Sequence, residues 1–179
     1  SSGPVLIISP LISLRDDQRM KWEEYNQTLN PGISHLRCRF LTSTNPRSDD
    51  DVIHDLMQGD VDVLCCSPDL FFDVNIRRPA WLECFQSMPR PFSALMIDEA
   101  HVIGDWGASI IPAFQLLPTI KNQLLIRNPE LRLLLLSATI SVEEEKELIK
   151  LFREGMVLPP LVDGTYAIVK EEQFGPALP

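Results

Sequence analysis

The sequence predicts an open α/β fold, a parallel sheet with helices on both faces, and two patterns carry that prediction. Short apolar runs, β-branched or leucine-rich and without polar alternation, recur at residues 5–9, 36–41, 61–66, 94–97 and 131–136. A strand covered on both faces reads as such a run. Longer stretches with apolar residues near helical spacing lie between them, the alternation expected of strands joined by crossover helices. At 179 residues the chain is about one domain long, enough to bury most of its apolar surface in one core.

Each helical stretch carries its own punctuation. Residues 14–29 place Leu14, Met20, Trp22 and Tyr25 near helical spacing and stop at Asn30-Pro31-Gly32. Residues 49–58 follow Ser48, a residue type suited to cap a helix, and end before Gly59. Residues 112–127 admit Pro112 in a first turn, while Pro118 predicts a kink or break. A helix over 141–152 opens on Ser141 with Glu144 three residues on, the pattern of a capping box. From residue 157 the periodicity dissolves into Pro159-Pro160, Gly164, Gly175-Pro176 and Pro179. The expected division is therefore a domain over 1–155 and an extended tail or linker over 156–179, with 166–170 its one strand-like run.

Charge and cysteine usage narrow the function classes. Acidic residues outnumber basic ones 25 to 16, a formal net charge of −9, which argues against coating nucleic acid by bulk electrostatics; any such contact has to be local. Cys38, Cys65, Cys66 and Cys84 form no CxxC pair and have no matching histidine spacing, so neither zinc nor a disulfide framework is expected. Reduced core thiols suit the cytoplasm, or the nucleus in a eukaryote. No apolar run approaches the roughly 20 residues that span a bilayer, and no export signal opens the chain. His35 and His54 stand outside any metal spacing, and Trp22 and Trp81 fit helix packing.

In an open parallel sheet the chemistry gathers beyond the carboxyl ends of the strands. The run 94–97 leads into Asp98-Glu99-Ala100-His101. One of its carboxylates can hold Mg2+, commonly through water, while the next acts on an attacking water. Alone, the tetrapeptide also fits an acidic loop. The run 131–136 leads into Ser137-Ala138-Thr139, small hydroxyl residues able to bridge the acidic loop to a neighbouring segment. Alone, that tripeptide also fits a turn or a helix start.

In order and spacing these two segments resemble motifs II and III of the superfamily 2 helicases. The stretch Val5-Leu6-Ile7-Ile8-Ser9-Pro10-Leu11-Ile12-Ser13-Leu14-Arg15-Asp16-Asp17-Gln18 is similar to motif Ia of the RecQ branch. His101-Val102-Ile103-Gly104-Asp105-Trp106-Gly107 resembles that branch's aromatic-rich loop, with Trp106 the central match. The likeness runs over about residues 5–152. It implies a RecA-like lobe of the P-loop NTPase type, with ATP and Mg2+ as cofactors. Asp98 would position Mg2+ through water, Glu99 would polarise the attacking water, and His101 with Ser137 and Thr139 would relay the change toward DNA. Ser9, Ser13 and Arg15 would touch the backbone of the tracked strand, and Trp106 would sense it and couple it to hydrolysis. The partners implied are single-stranded or partly duplex DNA and a second RecA-like domain of the same parent chain, with 3′ to 5′ movement and a place in DNA repair and recombination.

The chain also departs from the branch. Trp106-Gly107-Ala108-Ser109-Ile110-Ile111-Pro112 stands where the family continues Trp-Gly-His-Asp-Phe-Arg-Pro, and Ser67-Pro68-Asp69-Leu70 lacks the arginine of Ala-Pro-Glu-Arg. Arg37, Arg39 and the pair Arg77-Arg78 are candidate phosphate contacts, although solvated charges are the more ordinary reading of such arginines. No GxxxxGK[ST] loop is present, and none of the eight glycines precedes a lysine. In the family that loop comes shortly before motif Ia, so the expectation is a chain truncated after it, lacking the phosphate-loop strand and binding MgATP poorly by itself. Two competing readings stay open: a superfamily 2 translocase of a DNA defence or restriction system, and a catalytically inactive RecA-like scaffold module.

Overall fold

The structure, a computed structural model, describes residues 3–10, 20–22, 24–28, 35–41, 46–71, 78–105 and 117–153. Strand β1 (Val5–Ile8) is followed by helix α1, helical at 20–22 and 24–28, and by β2 (Cys38–Leu41), α2 (Pro46–Gln58) and β3 (Val63–Cys66). A short 3-10 turn (Pro68–Phe71), α3 (Arg78–Ser87), β4 (Ala94–Ile97), the single-turn α4 (Val102–Asp105), α5 (Leu117–Arg127), β5 (Arg132–Leu135) and α6 (Val142–Arg153) complete the order. The five strands form one sheet, β2-β3-β1-β4-β5, and every pair is parallel. All five predicted apolar runs are strands. Their flanking residues Leu36, Val61, Leu131 and Leu136 lie just outside the ladders, Val61 and Leu131 buried in the core and Leu136 exposed.

Strand alternation sorts the apolar residues onto two faces. Leu6, Ile8, Leu64, Cys66, Leu95 and Ile97 join the larger core, which the helices extend with Leu56, Phe85, Leu117, Leu124 and Phe152. Ile7, Val63 and Cys65 form the core of the opposite face, closed by Val5, Cys38, Phe40, Met96 and Trp22 of α1. Trp22 thus packs from a helix, as its spacing predicts. The four cysteines are free thiols, and burial pushes Cys65 up to about 12 and Cys84 up to about 11, which keeps them protonated at neutral pH.

The helix ends show how local sequence sets the boundaries. Gly59, at φ +76°, takes the left-handed position after α2, with its N–H donating to Leu56 C=O at 3.1 Å and Asp60 N–H donating to Asp55 C=O at 2.8 Å. This is the double bond of a Schellman stop, which a glycine closes at least steric cost. The start of α2 differs from expectation. The helix opens at Pro46, so Ser48 lies within it and does not cap it; proline is tolerated in a first turn because its missing N–H has no partner there anyway. The capping box of α6 forms as read: Ser141 N–H donates to Glu144 Oε2 at 2.6 Å and Glu144 N–H to Ser141 Oγ at 3.2 Å, a cap worth about 1 kcal/mol.

Helix α5 is described over Leu117–Arg127, with Pro118 its second described residue; residues 112–116, the opening turn of the predicted helix, lie outside the described residues. Helix α3 has no bounds in the sequence reading, in which only Trp81 fits helix packing at this place. Its exit carbonyls are held by Arg127 of α5, which donates to Gln86 C=O and, at 2.9 Å, to Met88 C=O, satisfying groups that a helix end leaves unpaired. The tail assigned to 156–179 lies outside the described residues.

Among the described residues the two edges of the sheet differ. Arg37, just before β2, forks Asp62 with Nε to Oδ2 and Nη2 to Oδ1 both at 3.0 Å, and also reaches Asp60 at 2.6 Å; Arg39 of β2 meets Asp55 of α2 at 2.6 Å. The Arg37 hydrogen bond holds the Asp62 carboxyl below its usual range. Both guanidiniums are therefore matched by carboxylates and are poor candidates for phosphate contact. On β5 the exposure alternates, and Leu134 and Leu136 remain 40% and 42% exposed. An apolar edge strand templates pairing with another strand.

Candidate active site

Parallel, in-register pairing brings the carboxyl ends of β1, β4 and β5 together. Ile8 pairs with Ile97 and Ile97 with Leu135, so Ser9, Asp98 and Leu136 emerge side by side. Asp98 N–H continues the β1 ladder to Ile8 C=O at 2.9 Å, Leu136 N–H donates to Ile97 C=O at 2.8 Å, and Ala100 N–H returns to Leu136 C=O at 2.8 Å. The acidic loop is thus laced to both neighbouring strands before any side chain acts.

Within it, Glu99 has φ +53°. A non-glycine residue in the left-handed region costs roughly 1 kcal/mol or more and persists only where its surroundings hold it. Three bonds do so here: Glu99 N–H to Asp98 Oδ1 at 3.0 Å, Val102 N–H to Glu99 C=O at 3.0 Å and Ala100 N–H to Leu136 C=O. The turn displays the two carboxylates in sequence. Asp98 accepts one hydrogen bond on each oxygen, from Glu99 N–H on Oδ1 and from Ser9 Oγ on Oδ2 at 3.2 Å, so each oxygen keeps lone-pair capacity.

His101 reaches across to β5. Its Nδ1 lies 3.0 Å from Ser137 Oγ and 3.3 Å from Glu99 Oε2. Ser137 Oγ donates its single hydrogen to Thr139 C=O at 2.7 Å, so toward the ring it can only accept. The proton therefore sits on Nδ1 of His101, shared between Ser137 Oγ and the Glu99 carboxylate. One imidazole joins Glu99, beyond the end of β4, to the hydroxyl segment beyond the end of β5.

Of the residues singled out in the sequence, Asp98, Glu99, His101 and Ser137 converge, and Ser9 joins them through Asp98. Thr139 enters through its carbonyl, its side chain being exposed. Ser13, Arg15 and Trp106 lie outside the described residues. The link from Ser9 to Asp98 was missed by sequence reading; its signal, a serine one residue past a strand that neighbours the acidic strand, has meaning only once the strand order is known.

Fold and site define the class first: a RecA-like α/β lobe in which β4, the neighbour of the central strand β1, ends in paired acids. The first 148 residues match the DEAD/DEAH box helicase family, and the chain belongs to that family. A curated relative, the ATP-dependent DNA helicase Q-like 2 of Arabidopsis thaliana, is 28% identical over 152 residues, covering 83% of this chain and 19% of the relative. Among solved structures the fold is similar to that of the DUF1998 helicase MrfA bound to DNA and AMPPNP, at a TM-score of 0.59 and 17% identity, over 84% of this chain and 19% of that one. The chain spans about a fifth of the length of these relatives.

Membership of the family implies use of ATP, typically with Mg2+. The residues present fit a hard divalent cation: Asp98 offers a carboxylate with spare acceptor capacity on both oxygens, the donor type that such an ion takes while keeping several waters. Among the described residues no three His, Cys, Asp or Glu side chains group around one point.

Proposed function

We propose that this chain is the part of a RecQ-like DNA helicase motor that carries the water-activating acids, with residues 1–155 as the lobe. The observation that carries the reading is the His101 to Ser137 contact at 3.0 Å, which joins Asp98-Glu99-Ala100-His101 to Ser137-Ala138-Thr139. The motif Ia likeness at residues 5–18 and the DNA helicase relative support the RecQ-like assignment; the DNA in the solved neighbour supports the choice of nucleic acid.

Bound MgATP supplies the phosphoanhydride and the metal charge. Asp98, with spare acceptor capacity on both oxygens, would hold the metal ion through water. Glu99, presented by its left-handed turn, accepts a hydrogen bond from the attacking water and takes up its proton. His101 registers the charge on Glu99 through the Nδ1 hydrogen and transmits the change to Ser137 and the backbone at Thr139. Ser13 and Arg15 contact the tracked strand, and Trp106 couples that contact to the acids.

The test uses the full-length protein with duplexes tailed on either the 3′ or the 5′ side. DNA-stimulated ATP hydrolysis and opening of the 3′-tailed duplex alone are expected. His101→Ala should leave hydrolysis within about fivefold of the native rate while strand opening falls by more than tenfold. Absence of DNA stimulation would sink the motor reading in favour of a scaffold. Stimulated hydrolysis without opening would favour a translocase, a second reading for which the sequence Ala108-Ser109-Ile110-Ile111 after Trp106-Gly107 speaks.

A further inference from the structure

Asp98 owes the orientation of one of its oxygens to a residue that the motif resemblance assigns to nucleic acid. Ser9 follows Ile8 of β1 and Asp98 follows Ile97 of β4, and Ile8 and Ile97 are register partners. Parallel in-register neighbours send their side chains to the same face. That face already holds Val5, Ile7 and Met96, and Ser9 and Asp98 extend these rows beyond the end of the sheet. Ser9 is 9% exposed, its N–H is spent on Cys66 C=O at 3.1 Å, and its Oγ stands 3.2 Å from Asp98 Oδ2. The ionised carboxylate can only accept, so the hydroxyl hydrogen goes to it. Neither donor of Ser9 is left for a phosphate of the nucleic-acid backbone.

We propose that Ser9 is a positioning residue for Asp98 and not a contact to the tracked strand. With Glu99 N–H on one oxygen and Ser9 Oγ on the other, the carboxylate is held against rotation about its Cβ–Cγ bond, and its remaining lone pairs face a fixed direction. Ser9 also heads the segment that contains Ser13 and Arg15, so the same hydroxyl ties the strand-tracking segment to the metal-holding acid. The inference rests on the role proposed above for Asp98.

The test compares Ser9→Ala, Ser9→Cys, Ser9→Thr and Asp98→Asn in the full-length protein by two binding measurements. Mn2+ affinity is read by electron paramagnetic resonance with a non-hydrolysable ATP analogue present, and affinity for a single-stranded oligodeoxynucleotide by fluorescence anisotropy. Ser9→Ala and Ser9→Cys, the latter of similar size but a poor donor, should each weaken Mn2+ binding about tenfold, the scale of one hydrogen bond to a charged group. Ser9→Thr should restore it, and DNA affinity should stay within about twofold of native in all three, since no phosphate contact is lost. Unchanged Mn2+ binding in Ser9→Cys, with binding lost in Asp98→Asn, overturns the role of Ser9 alone. A fall in DNA affinity with Mn2+ binding intact likewise overturns it and returns Ser9 to the nucleic acid. Native-like Mn2+ binding by Asp98→Asn means that the reading of Asp98 has failed, and the role of Ser9 with it.

Discussion

Exchange of Glu99 for glutamine in the full-length protein is expected to lower DNA-stimulated ATP hydrolysis about 10²- to 10⁴-fold, the range for loss of a positioned general base, while nucleotide binding is retained. The exchange is close to isosteric, and the backbone bonds that hold φ at +53° come from Asp98, Val102 and Leu136, none of which it touches. The amide oxygen can still accept from His101 Nδ1, now 3.3 Å from Glu99 Oε2. What glutamine cannot do is take a proton. A binding defect and a chemical defect therefore separate: a loss confined to the hydrolysis rate assigns proton transfer to Glu99. Equal rates for the two proteins would remove Glu99 from the water, leaving its left-handed turn without the proposed use.

That turn also shows where sequence stops being informative. The five strands are legible because a buried parallel strand needs apolar side chains on both faces, and the runs 5–9, 61–66 and 94–97 are short for a helix. Their ends are less so, since Val61 and Leu131 are equally apolar and pack without joining a ladder. The cap at Ser141 is read correctly because serine and Glu144 satisfy each other locally. Ser48 is misread because Pro46 can also open a helix. The bounds of helix α3 hide behind Arg77-Arg78-Pro79, and its buried residues Cys84 and Phe85 are adjacent and make too short a stripe to announce a period. Lys121 reads as a break in the stripe Leu117, Ile120 and Leu124, yet it is fully buried and donates to Phe152 C=O at 2.5 Å, fastening the end of α6 to α5. Acids and hydroxyls at strand ends are legible from position alone, whereas pairings such as Ser9 with Asp98, 89 residues apart, depend on strand order, which no local pattern encodes.

Taken alone, this chain is expected to bind MgATP with a dissociation constant on the order of 1 mM or weaker, measured by titration with a fluorescent ATP analogue. The reason is the balance of charge where the phosphates would lie. The strand ends present Asp98 and Glu99, two carboxylates, to a strongly anionic ligand, and the chain as a whole carries a formal charge of −9. Arg37 and Arg39 are spent on Asp60, Asp62 and Asp55, and Lys121 is buried against Phe152. Tight binding of a triphosphate calls for a backbone cradle at a helix start and a lysine on the outer phosphates, and the sequence holds no GxxxxGK[ST] loop. The metal bridge through Asp98 is then the main attraction, and one carboxylate acting through water is weak. Asp98→Asn should accordingly abolish what affinity remains, because it removes the bridge. Micromolar affinity in the native chain, or affinity indifferent to Asp98→Asn, would mean that other side chains grip the phosphates directly, and the division of labour between a metal-holding acid and a phosphate loop would not describe this protein.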